Sequence, residues 1–98
     1  MKQTITVKSK IKKFIPQFLE NTKNDIELLK KSLQAKNYDE IHRNAHSMKG
    51  YAKPFGFGYL GELAAQLQQA AKDQAFEDAE SLIEELDEYY DNIEIVYS

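Results

Sequence analysis

An all-α chain folded as an antiparallel up-down four-helix bundle is predicted by three features of the sequence. Only two prolines and four glycines occur in 98 residues, and three of the glycines crowd into residues 56–61. Apolar residues recur at three- and four-residue spacings in four segments, whereas no stretch reads as the alternation of apolar and polar residues in a strand. The breaks between those segments are short, and short connections favour antiparallel neighbours.

Residues 1–7 are expected to form an N-terminal arm, disordered in one reading, and residues 8–98 a single helical domain. Ile11, Phe14, Ile15, Phe18, Ile26, Leu29 and Leu33 describe a first long helix ending near Lys36, which Pro16 is expected to kink or split near its start. Asn37 followed by Glu40 has the pattern of an N-cap with its partner at the third helical position. A second helix then carries Ile41, Ala45, Met48 and Ala52 on one face, and Pro54 closes it. After a turn at residues 55–58, a third helix buries Leu60, Leu63, Ala64, Leu67 and Ala71. Asp73 and Gln74 make the next break. The fourth helix places Phe76, Ala79, Ile83, Leu86, Tyr90 and Ile93 in three- and four-residue steps, with Leu82 and Tyr89 beside that seam.

Composition narrows the function classes. Ninety-eight residues supply one modest core and no separate cofactor domain. No run approaches the roughly 18 apolar residues of a membrane span, and the N-terminus lacks the apolar core of a signal peptide, so no membrane association and a cytoplasmic location are expected. The absence of cysteine excludes disulfides, thiolate metal sites and thiol nucleophiles. The net charge of -3 conceals a segregation: residues 1–72 hold all 13 Lys and Arg, whereas residues 73–98 hold acids and no base. That pattern fits mutual attraction of the first and last helices, or a basic middle meeting an acidic partner. Nucleic acid is not expected as a partner, because the bases are not interleaved with a groove of aromatics and the acidic tail repels phosphate.

The second helix carries the chemistry. At about 100° per residue its apolar stripe clusters within roughly 60° of arc, and His46 falls about 130° from the centre, which predicts an exposed imidazole. His42, Lys49 and Lys53 share that flank. Gly50, one turn beyond His46, costs about 1 kcal/mol in a helix relative to alanine, and it lies at neither a cap nor a turn. Access to the imidazole is a physical reason for it. A neutral imidazole nitrogen is a competent nucleophile near neutral pH, and phosphoryl transfer needs positioning and positive charge more than covalent help.

Ala45-His46-Ser47-Met48-Lys49-Gly50 resembles the His-x-x-Lys-Gly signature of histidine phosphotransfer domains. The surroundings agree: Ile15-Pro16-Gln17-Phe18-Leu19-Glu20 opens the domain, Phe55-Gly56-Phe57 closes the His helix, and Leu67-Gln68-Gln69-Ala70-Ala71 follows on the next. The resemblance covers roughly residues 8–95. It implies that His46 is the phosphoacceptor, normally through Nε2, that Lys49 stabilises the phosphoryl group, and that Gly50 leaves room for a receiver domain. Gln68 lies where some members place a residue that hydrogen-bonds the imidazole, and Lys72 where some carry a basic residue near the phosphoryl group. The implied partners are receiver domains, with a hybrid sensor histidine kinase as a further candidate. No cofactor is implied for this chain, since Mg²⁺ belongs to the receiver, and the chain is expected to act as a stoichiometric carrier without an ATP site. Met1 and the four-helix count fit a free-standing chain, and a monomer is expected because four helices can close their own core. Tyr51, Ala52, Lys53 and Pro54 depart from the small-residue run that often follows the signature, which predicts a bulkier surface past Gly50.

Three features invite other readings. Gly56-Phe57-Gly58-Tyr59-Leu60-Gly61 matches the Gly-x-Gly-x-x-Gly pattern literally, but it follows a helix rather than a strand, so the glycines are read as turn residues, with Gly61 allowing close helix approach. His42 and His46, four residues apart, form a potential metal pair, with Asp39 and Glu62 the nearest supplements. A non-catalytic interaction module is the other alternative. Tyr51, Phe55, Phe57 and Tyr59 would then rim a docking face, although bundle-end packing accounts for most of them.

Overall fold

Buried positions follow the helical periodicity closely. In the computed structural model, which describes residues 2–98, four helices form: α1 (Ile15–Gln34), α2 (Tyr38–Ala52), α3 (Gly58–Lys72) and α4 (Phe76–Asp91). α2 packs most extensively on α3, α3 on α4, and α1 on both α2 and α4, which closes a helical bundle. Ile41, Ala45, Met48 and Ala52 of α2 are fully buried, as are Leu60, Ala64 and Leu67 of α3. Their apolar area, removed from water, is the main stabilising term. Phe18 of α1 packs on Tyr51, Phe55 and Phe57 at ring-centroid distances of 5.5, 4.7 and 4.5 Å, so these aromatics seal one end of the core.

The fold is a mostly helical bundle, as expected, with an unexpected two-stranded sheet. Gln3–Val7 and Ile93–Tyr97 form strands β1 and β2, paired in parallel with Gln3 opposite Ile93 and Val7 opposite Tyr97. The expected arm is therefore a strand from Gln3 onward, while Met1 lies outside the described residues. Ile5 and Val7 turn inward and Thr4 and Thr6 outward, the period-2 alternation of a half-buried strand. Ile93, expected on the fourth helix, belongs to β2 instead, because α4 ends at Asp91. Parallel pairing needs a long crossover, and the whole bundle supplies it.

The first helix also differs from its expected form. Ser9–Phe14 is a 3₁₀ helix, and α1 begins at Ile15 with Pro16 in its first turn, where a missing N–H costs nothing. Phe14, expected on the buried face, is half exposed.

Helix ends are set by local chemistry. The Asn37 side chain accepts from the Glu40 backbone N–H at 3.2 Å and caps α2 as its sequence predicts. Lys36 and Gln74, each with φ 53, sit in the left-handed region just past α1 and α3. The bonds Asn37 N–H to Ser32 C=O and Lys36 N–H to Leu33 C=O close α1, and Ala75 to Ala70 with Gln74 to Ala71 close α3 in the same way. These are Schellman motifs, and only the one after the 3₁₀ turn Lys53–Phe55 has glycine, Gly56, at the left-handed position.

Charge segregation contributes less than expected to helix pairing. Between α1 and α4 the ion pair is Lys30 with Asp87 at 2.9 Å, and Lys2 meets Glu94 at 3.6 Å between the strands, both on the surface. More specific are the Tyr90 hydroxyl, which donates to the Leu19 carbonyl at 3.0 Å, and the Lys23 ammonium, 5.6 Å from the centre of the same ring.

Candidate functional site

The site is built on α2 and α3, the most extensively paired helices. Because Ala45 and Met48 flank His46 on the buried face, the imidazole is turned outward and exposed, as predicted. Lys49, Gly50 and Lys53 are exposed beside it, and Lys72 is exposed on α3. Among the described residues, none of these three ammonium groups is held in an ion pair, so each is free to meet an anion. Exposed cations with a nucleophilic imidazole can stabilise an incoming phosphoryl group electrostatically.

Gln68 is the link between the two helices at this point. Its amide Nε2 lies 3.3 Å from His46 Nδ1 and 3.3 Å from His42 Nε2, and both Gln68 and His42 are partly buried. A cleft of about 260 Å³ beside them is lined by His42, Lys49, Ala65, Gln68, Gln69 and Lys72. A second, of about 350 Å³, lies between Lys49, Lys53, Gly58, Gly61, Glu62 and Ala65. Lys49 and Ala65 border both clefts. The sequence-predicted site residues on α2 and α3 thus converge on one surface.

Gly50 has open space where a side chain would be: a Cβ built there meets nothing within 4 Å. The bundle itself does not require a glycine at this position. Gly61 is different from its expected role, since a Cβ there would meet the Ala52 Cβ at 3.7 Å, an ordinary contact. Alanine would fit, so the α2 and α3 approach does not depend on glycine.

Of the four residues past Gly50, Lys53 and Pro54 are exposed and the other two turn inward. Ala52 is buried, and Tyr51 turns onto α1, where its hydroxyl donates to Asp25 at 2.6 Å. Phe57 is buried and Phe55 half-buried in the bundle-end cluster, whereas Tyr59 is exposed and stacks on Tyr89 with its hydroxyl on Glu85. Gly56, φ 88, is a turn residue between helical elements, not a loop after a strand. His42 and His46 gain no third ligand: among the described residues no group of three or more His, Cys, Asp or Glu side chains comes together, and the Gln68 amide lies between the two rings.

Sequence reasoning missed the contact of His42 with Gln68. A helical wheel places His42 and His46 on one flank, but only the rotation of α3 against α2 shows that a single amide reaches both.

No helix among the described residues is long and apolar enough to cross a membrane. Comparison with curated proteins and with solved structures returns no match. The family model for the Hpt domain matches residues 13–95 of this 98-residue chain, which includes His46, both clefts and all four helices and leaves out β1, most of the 3₁₀ helix Ser9–Phe14 and the last two residues of β2. A helical bundle with an exposed His-x-x-Lys-Gly surface and a family match over most of its length leave one assignment: the chain belongs to the Hpt domain family of phosphorelay phosphotransfer domains.

Proposed function

We propose that this chain carries a phosphoryl group on His46 Nε2, receiving it from the aspartyl phosphate of one receiver domain and passing it to the aspartate of another. The observation that carries this reading is the exposed imidazole of His46, joined through Gln68 to a cleft bordered by Lys49 and Lys72, with open space over Gly50. In the forward step the Nε2 lone pair attacks phosphorus, an N–P bond forms, and the bond from phosphorus to the aspartyl oxygen breaks to release the carboxylate. The His46 Nδ1 proton stays on the ring, which requires the Gln68 amide to turn its oxygen toward Nδ1 to accept it. Transfer to a second aspartate is the reverse, and Mg²⁺ is expected on the receiver in both directions. Lys49 and Lys72 offset charge on the phosphoryl oxygens, while Gly50 lets the receiver approach. His42 and Gln68 support the imidazole. The chain acts as a stoichiometric carrier and a monomer; the short connections between its helices favour an antiparallel up-down arrangement.

The test is incubation with a phosphorylated receiver domain and assay of acid-labile phosphate on this chain. Wild type is expected to take label and His46→Gln to take none while unfolding at the same denaturant midpoint, since His46 lies off the core. Label retained by His46→Gln would move the site elsewhere. No label on wild type with any of several receivers would favour a binding module, for which the exposed Tyr59 is a starting point.

A further inference from the structure

Two imidazoles share one amide atom. Gln68 Nε2 is 3.3 Å from both His42 Nε2 and His46 Nδ1, so whatever occupies that position must serve both rings in the same way. An amide nitrogen can only donate and an amide oxygen can only accept, and a half-turn of the Gln68 terminal group exchanges them with no change in shape. With nitrogen inward, the orientation in the structure, both ring nitrogens must offer lone pairs, which puts the His46 proton on Nε2 and removes the nucleophile. With oxygen inward, both ring nitrogens must carry hydrogen, which leaves the His46 Nε2 lone pair free.

From this geometry we infer that His42 is a positioning residue: through the Gln68 amide it selects which nitrogen of His46 holds the proton, and so whether Nε2 can take the phosphoryl group. The inference rests on the proposed carrier reading and assigns His42 a part in that same site. Partial burial of Gln68 and His42 limits competition from water. The charged groups lining the adjacent cleft, Lys49 and Lys72, are both donors and cannot take the His42 hydrogen in place of Gln68. In the structure the amide nitrogen faces both rings; once the amide turns over, a hydrogen on His42 Nε2 donated to the Gln68 oxygen holds that oxygen toward His46 Nδ1. Switching orientation moves one proton from each ring nitrogen to the other through solvent, with no net gain or loss.

The experiment compares wild type, His42→Leu and His42→Gln by long-range ¹H–¹⁵N NMR of the unphosphorylated protein at about pH 8.5, where free imidazoles are neutral, together with the rate of label uptake from a phosphorylated receiver. In wild type the two rings are expected to show matched tautomers, His42 with hydrogen on Nε2 and His46 with hydrogen on Nδ1. His42→Leu should raise the His46 Nε2–H population and slow uptake about fivefold, the effect of one hydrogen bond. His42→Gln, which keeps a donor at similar reach, should restore both. An unchanged His46 tautomer in His42→Leu would overturn the inference, including the case in which uptake slows for electrostatic reasons alone. Absence of label on wild type would defeat the carrier reading, and the NMR comparison would still decide whether the two rings are coupled.

Discussion

Tyr51 donates its hydroxyl to the Asp25 carboxylate at 2.6 Å, a bond between α2 and α1 made one residue past the exposed Gly50. It turns the bulk of Tyr51 away from the exposed face of His46 and Gly50 and into the packing of α1. Burial first, and the Asp25 carboxylate second, hold the Tyr51 phenol well above its ordinary value of 10.0. Burial pushes Tyr89 up to about 12.

Alkaline pH should therefore weaken the fold. Both phenols keep their protons more tightly folded than unfolded, so their contribution is complete below about pH 10 and is lost as pH rises above it. Urea midpoints measured at pH 8 and pH 11 should fall for wild type and fall less for the double variant Tyr51→Phe/Tyr89→Phe. At pH 8, Tyr51→Phe should cost about 1–2 kcal/mol, because it leaves Asp25 without its partner. Tyr89→Phe should be neutral or stabilising, since the Tyr89 hydroxyl is buried with no hydrogen-bond partner.

Gly50 separates stability from function. With nothing within 4 Å of a Cβ, Gly50→Ala should raise stability by about 1 kcal/mol, the helix propensity of alanine over glycine. Gly50→Gln should also be tolerated by the bundle yet hinder receiver docking. Thermal unfolding and label uptake on the same samples would check this, and full uptake by Gly50→Gln would refute the access role.

The caps after α1 and α3 are improvable. Lys36 and Gln74 hold left-handed backbone without being glycine, so Lys36→Gly and Gln74→Gly should each stabilise by about 0.5–1 kcal/mol. Gly56→Ala should do the reverse, costing about 1–2 kcal/mol at φ 88. Chemical denaturation of the three variants would show the opposite signs.

Strand β1 distinguishes an ordered terminus from a loose arm. Val7 is 1% exposed, so Val7→Ala should cost roughly 2 kcal/mol, whereas Thr4→Ala, on the outer face, should stay within about 0.5 kcal/mol. Equal, negligible effects at both positions would mean that the strand does not contribute to the stability of the bundle in solution.

What the sequence determined by itself is local. The spacing of Ile41, Ala45, Met48 and Ala52 settles which face of α2 is buried, and hence that His46, Lys49 and Gly50 are exposed, because 3.6-residue periodicity is a property of one helix. Asn37 with Glu40 likewise marks a helix start from bonds within four residues. Tertiary structure decided whatever depends on how distant elements rotate against one another. β1 and β2 are each five residues long and lie at opposite ends of the chain, so the alternation in each is too short to read alone and becomes a sheet only when the bundle brings them together. Tyr51 faces Asp25 rather than the receiver side, and one Gln68 amide meets two imidazoles, because the rotations of α1 and α3 against α2 come from the packing of the whole core and not from any one segment.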